Sequence, residues 1–201
     1  MYVPDKWRMK EADKIYSFID NYSFATVISG NLDASHLPLL LKFQSDGIPV
    51  LYGHFSKANT QIKQIAQTRV LAVFHGPHAY ISPSWYANKP AVPTWNYAAV
   101  HVQGTVHLTD GDETLKRLDQ LIQKYDPGLS AEVISDEHKN KLLNGIVGFK
   151  IVVDDIQAKE KLGQHKSSED QRGVTHGLAN ECGDARQLLE YMRKYGIGTG
   201  D

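Results

Sequence analysis

The chain has 201 residues, 41% hydrophobic and 22% charged, which is enough apolar material to bury a core without disulfides or a structural metal. Lysine and arginine (22) nearly balance aspartate and glutamate (23), and the net charge of −1 excludes a general electrostatic attraction to nucleic acid or an anionic membrane. Cys182 is the sole cysteine, so no internal disulfide forms and a reducing, cytoplasmic setting is expected, while no apolar run approaches the ~18 residues of a membrane span.

Met1 to Lys10 has no apolar core and does not read as a signal peptide. Ile15, Phe18, Ile19 and Tyr22 recur at helical spacing and predict a helix over Lys10–Asn21. Phe24–Ser29 is a β-branched strand, followed by a turn at Asn31-Leu32-Asp33. His36–Phe43 alternates Leu37, Leu39, Leu41 and Phe43 on one face and predicts a strand, with Pro38 marking an edge or a bulge. Asp46-Gly47 is a hairpin turn, and Ile48–Phe55 is the returning strand. Ser56 reads as the N-cap of a helix running from Lys57 to Gln67. Val70–His75 is an apolar strand, broken by Gly76-Pro77 and resumed over Ala79–Ser82. Pro83–Pro93 is a loop rich in proline and aromatics.

Thr94–Leu108 is the clearest strand, with Val100, Val102, Gly104, Val106 and Leu108 on one face and His101, Gln103, Thr105 and His107 on the other. Gly111–Tyr125 is a helix whose buried stripe is Leu115, Leu118, Leu121, Ile122 and Tyr125. A weaker helix covers Ser135–Leu143. Ile146–Val153 is the last strand. Beyond it the composition turns polar from Asp154 to Arg172, and Lys159–Lys166 reads as a solvated charge run. Asp184 caps a final helix with Ala185, Leu188, Leu189 and Met192 as its stripe, and Gly196–Gly200 reads as a frayed tail. Mostly antiparallel strands on short turns, with a few helices inserted, predict a barrel or sandwich with helices outside and disfavour a Rossmann fold.

Two constellations carry candidate chemistry. Gly53–Asn59 passes from a strand into the expected helix, where free backbone N–H groups, the Ser56 hydroxyl and Lys57 would make an anion site; the alternative is a plain N-cap beside a solvated lysine. Tyr80–Tyr86 and Val92–Tyr97 place two tryptophans and three tyrosines around a proline-rich loop, either as walls for a planar ring, with Ser82, Thr94 and Asn96 supplying hydrogen bonds, or as core and interface anchors. The histidines at 36, 54, 75, 78, 101 and 107 follow no zinc spacing.

Several segments together resemble one family: Met1-Tyr2-Val3-Pro4, Ser35-His36-Leu37-Pro38, Gly53–Asn59, Gly76–Tyr86, Val92–Tyr97, His101–Gly104, Gly148–Ile151 and Lys159–His165. In that order they are similar to the PaiB-like family of FMN-binding negative transcriptional regulators, over nearly the whole chain. The late segment reads Lys161-Leu162-Gly163-Gln164-His165 where the family usually has Lys-Leu-Ser-Gln-Asn. The resemblance implies a six-stranded antiparallel split β-barrel with peripheral helices, with residues 1–155 as the FMN-binding domain and residues 156–201 as a helical extension packed on it. It implies FMN as cofactor and a homodimer with the flavin held between protomers. The cofactor-binding candidates are His36, Leu37, Pro38, His54, Ser56, Lys57, Asn59, Ser82, Trp85, Thr94, Trp95 and Asn96, with no catalytic and no metal-binding residue assigned. It implies a transcriptional regulator, acting through DNA or through a protein partner, although the charge gives DNA no support. An FMN-dependent oxidoreductase or flavin reductase on the same fold is the alternative, and a histidine-ligated haem the third reading.

Overall fold

Residues 1–129 and 135–201 are described by a computed structural model. They fall into two compact units that interleave along the chain, the first made of Met1–Ile15, His75–Val100 and Gln157–Asp201, the second of Tyr16–Phe74 and His101–Ile156.

The second unit begins within helix α1 (Ala12–Asn21), which buries Phe18 and Ile19. Strands β1 (Phe24–Ile28), β2 (Ala34–Pro38), β3 (Leu40–Phe43) and β4 (Pro49–Ser56) follow, then a single-turn helix α2 (Ile62–Ile65). The long strands β5 (Arg69–Ile81), β6 (Thr94–Leu108) and β7 (Ile146–Lys161) each give residues to both units. Helices α3 (Gly111–Tyr125) and α4 (Asp136–Leu143) connect β6 to β7. The strands form one antiparallel sheet in the order β2-β1-β5-β6-β7-β4-β3. Its registers include Val27 opposite Ser35 and Gly53 opposite Phe149. Phe55 stacks on Phe149 with ring centroids 4.7 Å apart, among the fully buried Leu39, Leu51, Val102, Val106 and Ile151.

The sheet has seven strands where six were expected. Pro38 cuts the predicted His36–Phe43 run in two: β2 pairs with β1, β3 pairs with β4, and the pieces occupy opposite ends of the sheet order. The expected helix over Lys57–Gln67 shrinks to Ile62–Ile65. Lys57 N–H donates to Gly145 O and Asn59 N–H to Ser56 O, and the Asn59 carboxamide accepts from Gln61 N–H, so turns consume the donors a helix would have used. Gly76-Pro77 does not interrupt β5; its ladder with β1 ends at Val73, so Pro77 lies past any β1 partner that would need its missing N–H. On α3 the expected stripe is only half-buried, and Tyr125 is exposed.

The first unit holds a 3-10 turn at Asp5–Trp7, a second at Pro83–Trp85, and helices α5 (Ser168–Ala179) and α6 (Asp184–Tyr195). Its buried apolar side chains include Ile81, Leu162, Leu178, Leu188, Leu189 and Met192. Three sequence expectations fail here. Lys159–Lys166 is not a solvated run: β7 continues to Lys161, and Lys159 and Glu160 are buried, because Lys14 and ring faces compensate their charges. The C-terminal glycines are not frayed, since Gly200 N–H donates to Gln171 Oε1 and Gly200 O accepts from Arg172. Gly183, not Asp184, precedes α6. Helix α5, which the polar composition concealed, was not expected at all. Among the described residues no helix is long and apolar enough to cross a membrane.

Candidate functional site

The candidate residues sort between the two units. In the second, His36 lies exposed on β2, stacked on Phe24 and hydrogen-bonded through Nδ1 to Thr26 Oγ1 at 3.0 Å. Leu37 and Pro38 are half-buried beside it. His54 is half-buried on β4, and burial pushes its imidazole below the usual histidine range. Ser56 ends β4 with its hydroxyl accepting from Ala58 N–H at 3.3 Å, and Lys57 is exposed.

Asn59 belongs to a polar network instead. Its Nδ2 donates to Ser35 Oγ at 2.8 Å, and Ser35 Oγ donates to Gln61 Oε1 at 2.6 Å. Gln61, 2% exposed, then spends its own donors on Val27 O, Ser29 Oγ and Asp33 O. This pins the β1–β2 turn. The amides of Lys57, Ala58, Asn59 and Gln61 are all engaged, so the free backbone N–H groups expected of a helix start are not on offer, and what the segment presents to an anion is the exposed Lys57 and the Ser56 hydroxyl.

In the first unit Ser82, Trp85 and Trp95 come together. They line a cleft of about 540 Å³ with His78, Tyr80 and Asp184, within the range of small-molecule sites. Trp95 is 54% exposed; its ring lies 6.0 Å from His78 and 6.3 Å from Tyr80, centroid to centroid. Trp85 is anchored from behind by α5, where Gly173 and Gly177 leave room for its carbonyl and indole. The Ser82 hydroxyl opens the 3-10 turn by accepting from Ser84 N–H at 3.2 Å. His78 and Asp184 make a half-exposed contact of 3.8 Å that becomes an ion pair only when the imidazole is protonated.

Thr94 and Asn96 do not line this cleft. Thr94 Oγ1 accepts from Lys161 Nζ, which also donates to Trp95 O at 2.9 Å. Asn96 is 2% exposed. Burial, then repulsion from Lys159, pulls the Lys161 ammonium below the usual lysine range.

Tyr80 was one of the aromatics expected to wall the ring site, whereas His78 and Asp184 were not among the sequence candidates for it. The signal for His78 was present: it sits two residues before Tyr80 on β5 and shares a face with Tyr80 and Ser82. Asp184 reaches the cleft only through the packing of α6, which no local pattern shows.

The arrangement fits a planar, amphipathic ring. Aromatic faces on Trp95 and Tyr80 offer stacking, and the serine hydroxyl and imidazole offer hydrogen bonds at its edge. The cleft's charged residues, Glu181 and Asp184, are acidic and disfavour a phosphate within it. Lys161 is a cation tied to its wall, through the Trp95 carbonyl.

The model of the family described as "Putative FMN-binding domain" matches residues 1–155. The chain is 40% identical over 201 residues, covering 96% of each sequence, to the protease synthase and sporulation protein PAI 2 of Bacillus subtilis strain 168. Among solved structures it resembles the flavocytochrome Anf3 of Azotobacter vinelandii, with a TM-score of 0.58 at 14% identity over 80% of this chain and 75% of that one. It also resembles an FAD and heme binding protein of Mycobacterium smegmatis, with a TM-score of 0.58 at 15% identity over 78% and 74% of the two chains. At such identities these two structures speak for the fold alone.

Proposed function

The chain belongs to the PaiB-like FMN-binding family and takes FMN as its cofactor, and on that premise we propose that it is a flavin-bound regulator of gene expression that works as a homodimer. The observation that carries the reading is Trp95, 54% exposed beside an equally bare Tyr80 on the wall of the 540 Å³ cleft. Apolar rings of this size left open to solvent mark a surface that something covers. The isoalloxazine ring covers it from the cleft, and a second protomer covers it from outside. Ser82 and His78 meet the ring's polar edge, while Trp85, held by α5, sets the depth of the cleft. When bound, FMN supplies hydride and electron transfer, and the protein's part is to seat it.

The regulatory half of the reading is supported by the relative's name, which ties that protein to protease synthase and sporulation. The net charge of −1 points away from nonspecific DNA contact and toward action through a protein partner or through the state of the flavin.

The test begins with the absorption spectrum of the purified protein before and after addition of FMN, with its mass in solution measured in both states. A flavin band that stays with the protein, at dimer mass, is expected. Free FMN that elutes separately at every concentration would sink the cofactor seat, and a monomer in both states would sink the dimer. Transcript profiles of a strain lacking the protein, with and without the wild-type copy restored, test the regulatory half; identical profiles would remove it. Rapid bleaching of the flavin by NADH or NADPH would instead identify an oxidoreductase.

A further inference from the structure

Three ammonium groups converge on one indole. Lys6, Lys159 and Lys161 place Nζ 4.7, 5.3 and 5.7 Å from the Trp7 ring centroid. His165 meets the same ring edge-on at 6.0 Å. The sequence pattern alone would send these lysines into water, yet Lys159 is 7% exposed. Among the described residues no carboxylate pairs with Lys6, Lys159 or Lys161. The pleat of β7 explains why: it turns Lys159 and Lys161 to one face and Glu160 to the other, where Lys14 and Tyr191 occupy that carboxylate.

The Trp7 indole N–H is buried and has no hydrogen-bond partner. A buried donor left unmet is rare in a folded protein and demands an explanation. Ring faces and the Tyr2 carbonyl, which accepts from Lys159 Nζ at 3.2 Å, ease these charges, but clustered cations with no carboxylate beside them are equally unusual. One occupant resolves both.

We propose that Trp7, Lys159 and Lys161, with Lys6 at the rim, form a binding site for a phosphate monoester. A phosphate dianion carries three strong acceptor oxygens, enough to accept from the indole N–H, the buried Lys159 ammonium and the half-buried Lys161 ammonium. Chloride or a single carboxylate offers fewer acceptors to the same donors. The crowding of charge is visible in His165, held below the usual histidine range by burial and then by Lys6, Lys166 and Lys161. Lys161 also ties the site to Trp95, whose ring lines the cleft. The phosphate belongs either to FMN or to a separate phosphorylated effector, and the chemistry required of the site is the same.

The experiment titrates the full-length protein with inorganic phosphate, following tryptophan emission and heat, against sodium chloride at matched ionic strength. Saturable binding is expected for phosphate alone. Lys161→Gln should weaken it tenfold or more, and Trp7→Phe, which removes the N–H and keeps an aromatic ring, severalfold. Lys6→Gln changes an exposed side chain that folding does not need, and should weaken it two- to fivefold; near-UV circular dichroism confirms the fold of each variant. A wild-type response to phosphate no different from chloride would overturn the site, as would equal affinity across the variants. Parallel titrations with FMN and riboflavin name the source. If the FMN preference over riboflavin collapses in Lys161→Gln, the flavin provides the phosphate; if it persists while inorganic phosphate binding is lost, the site serves a separate phosphorylated ligand. Should FMN fail to bind at all while phosphate does, the flavin seat is wrong and this site stands.

Discussion

Lys14 Nζ lies 2.7 Å from Glu160 Oε2 with the two side chains 11% and 7% exposed, and Tyr191 Oη donates to the same oxygen at 3.2 Å. This buried pair joins α1 to β7 and α6 within the first unit. Removing one partner from such a pair strands a charge, which costs about 3–5 kcal/mol, whereas replacing both with apolar groups of similar volume is often neutral. Lys14→Met should therefore lower stability by about 3 kcal/mol or more, and Lys14→Met/Glu160→Leu should recover most of the loss. Urea unfolding of the two variants measures this. A single variant that loses less than about 1 kcal/mol would show that water reaches Glu160.

The same pair shows where the sequence stops being legible. Thr94–Leu108 and Gly111–Tyr125 emerge at their predicted bounds because the strand alternates with period two and the helix carries one apolar stripe. Lys159-Glu160-Lys161 continues a strand, but its buried charges invert the usual pattern, so a local reading sends it into solvent. Pro38 signalled an edge, yet nothing local says that the two halves of its run pair with different strands. The Lys57–Gln67 helix fails because Asn59 bonds its own backbone two residues on. Around the cleft, Ser82, Trp85 and Trp95 were legible as an aromatic loop, whereas Asp184 arrives from a helix distant in sequence.

Gly177 faces the Trp85 indole so closely that an added Cβ would lie 2.2 Å from Cδ2. Gly-to-Ala inside a helix normally gains about 1 kcal/mol, but overpacking of this severity costs about 1–3 kcal/mol and should win. Gly177→Ala is expected to destabilise the protein and to shift tryptophan emission, and Trp85→Ala in the same chain should relieve part of the loss. Denaturant titrations with fluorescence decide it; a more stable Gly177→Ala protein would mean that α5 and the Pro83–Trp85 turn move apart freely.

Asp170 gives the pH dependence a defined direction. Its carboxylate accepts the Asn88 N–H at 2.9 Å, and this bond above all holds its pKa below the ordinary carboxylate value, aided by the Asn88 carboxamide, Ser167 and Lys166. With the folded pKa below the unfolded one, the unfolded chain binds more protons between the two values. The stabilisation is thus complete above about pH 4 and fades as pH falls through the folded pKa. Asp170→Asn should be less stable at neutral pH and lose less on acidification. Melting temperatures from pH 3 to 7 measure both, and parallel curves for wild type and variant would exclude the linkage.

Lys57 separates two locations for the flavin phosphate. Its ammonium is exposed, and the amides around it are already engaged. Lys57→Ala should therefore change FMN affinity less than about twofold, well short of the ~1 kcal/mol or more of a charge-assisted contact. Fluorescence quenching of FMN on binding is a sufficient assay. A tenfold loss would restore the phosphate to the end of β4.

Trp95 tests the ring seat and the dimer together. Its carbonyl is fixed by Lys161 at 2.9 Å, but the ring itself, 54% exposed, packs only edge-on to Tyr80 and tilted to His78, so truncation leaves the strand in place. An aromatic anchor of this kind carries about 2 kcal/mol when its partner fully covers it, or roughly thirtyfold in a dissociation constant. Trp95→Ala should weaken FMN binding by that order while the melting temperature holds. Sedimentation of the same variant then assigns the outer face of the ring: dissociation in parallel with flavin loss puts the second protomer on Trp95, and an intact dimer confines the residue to the cofactor. A variant that binds FMN as the wild type does would remove Trp95 from the seat and, with it, the cleft.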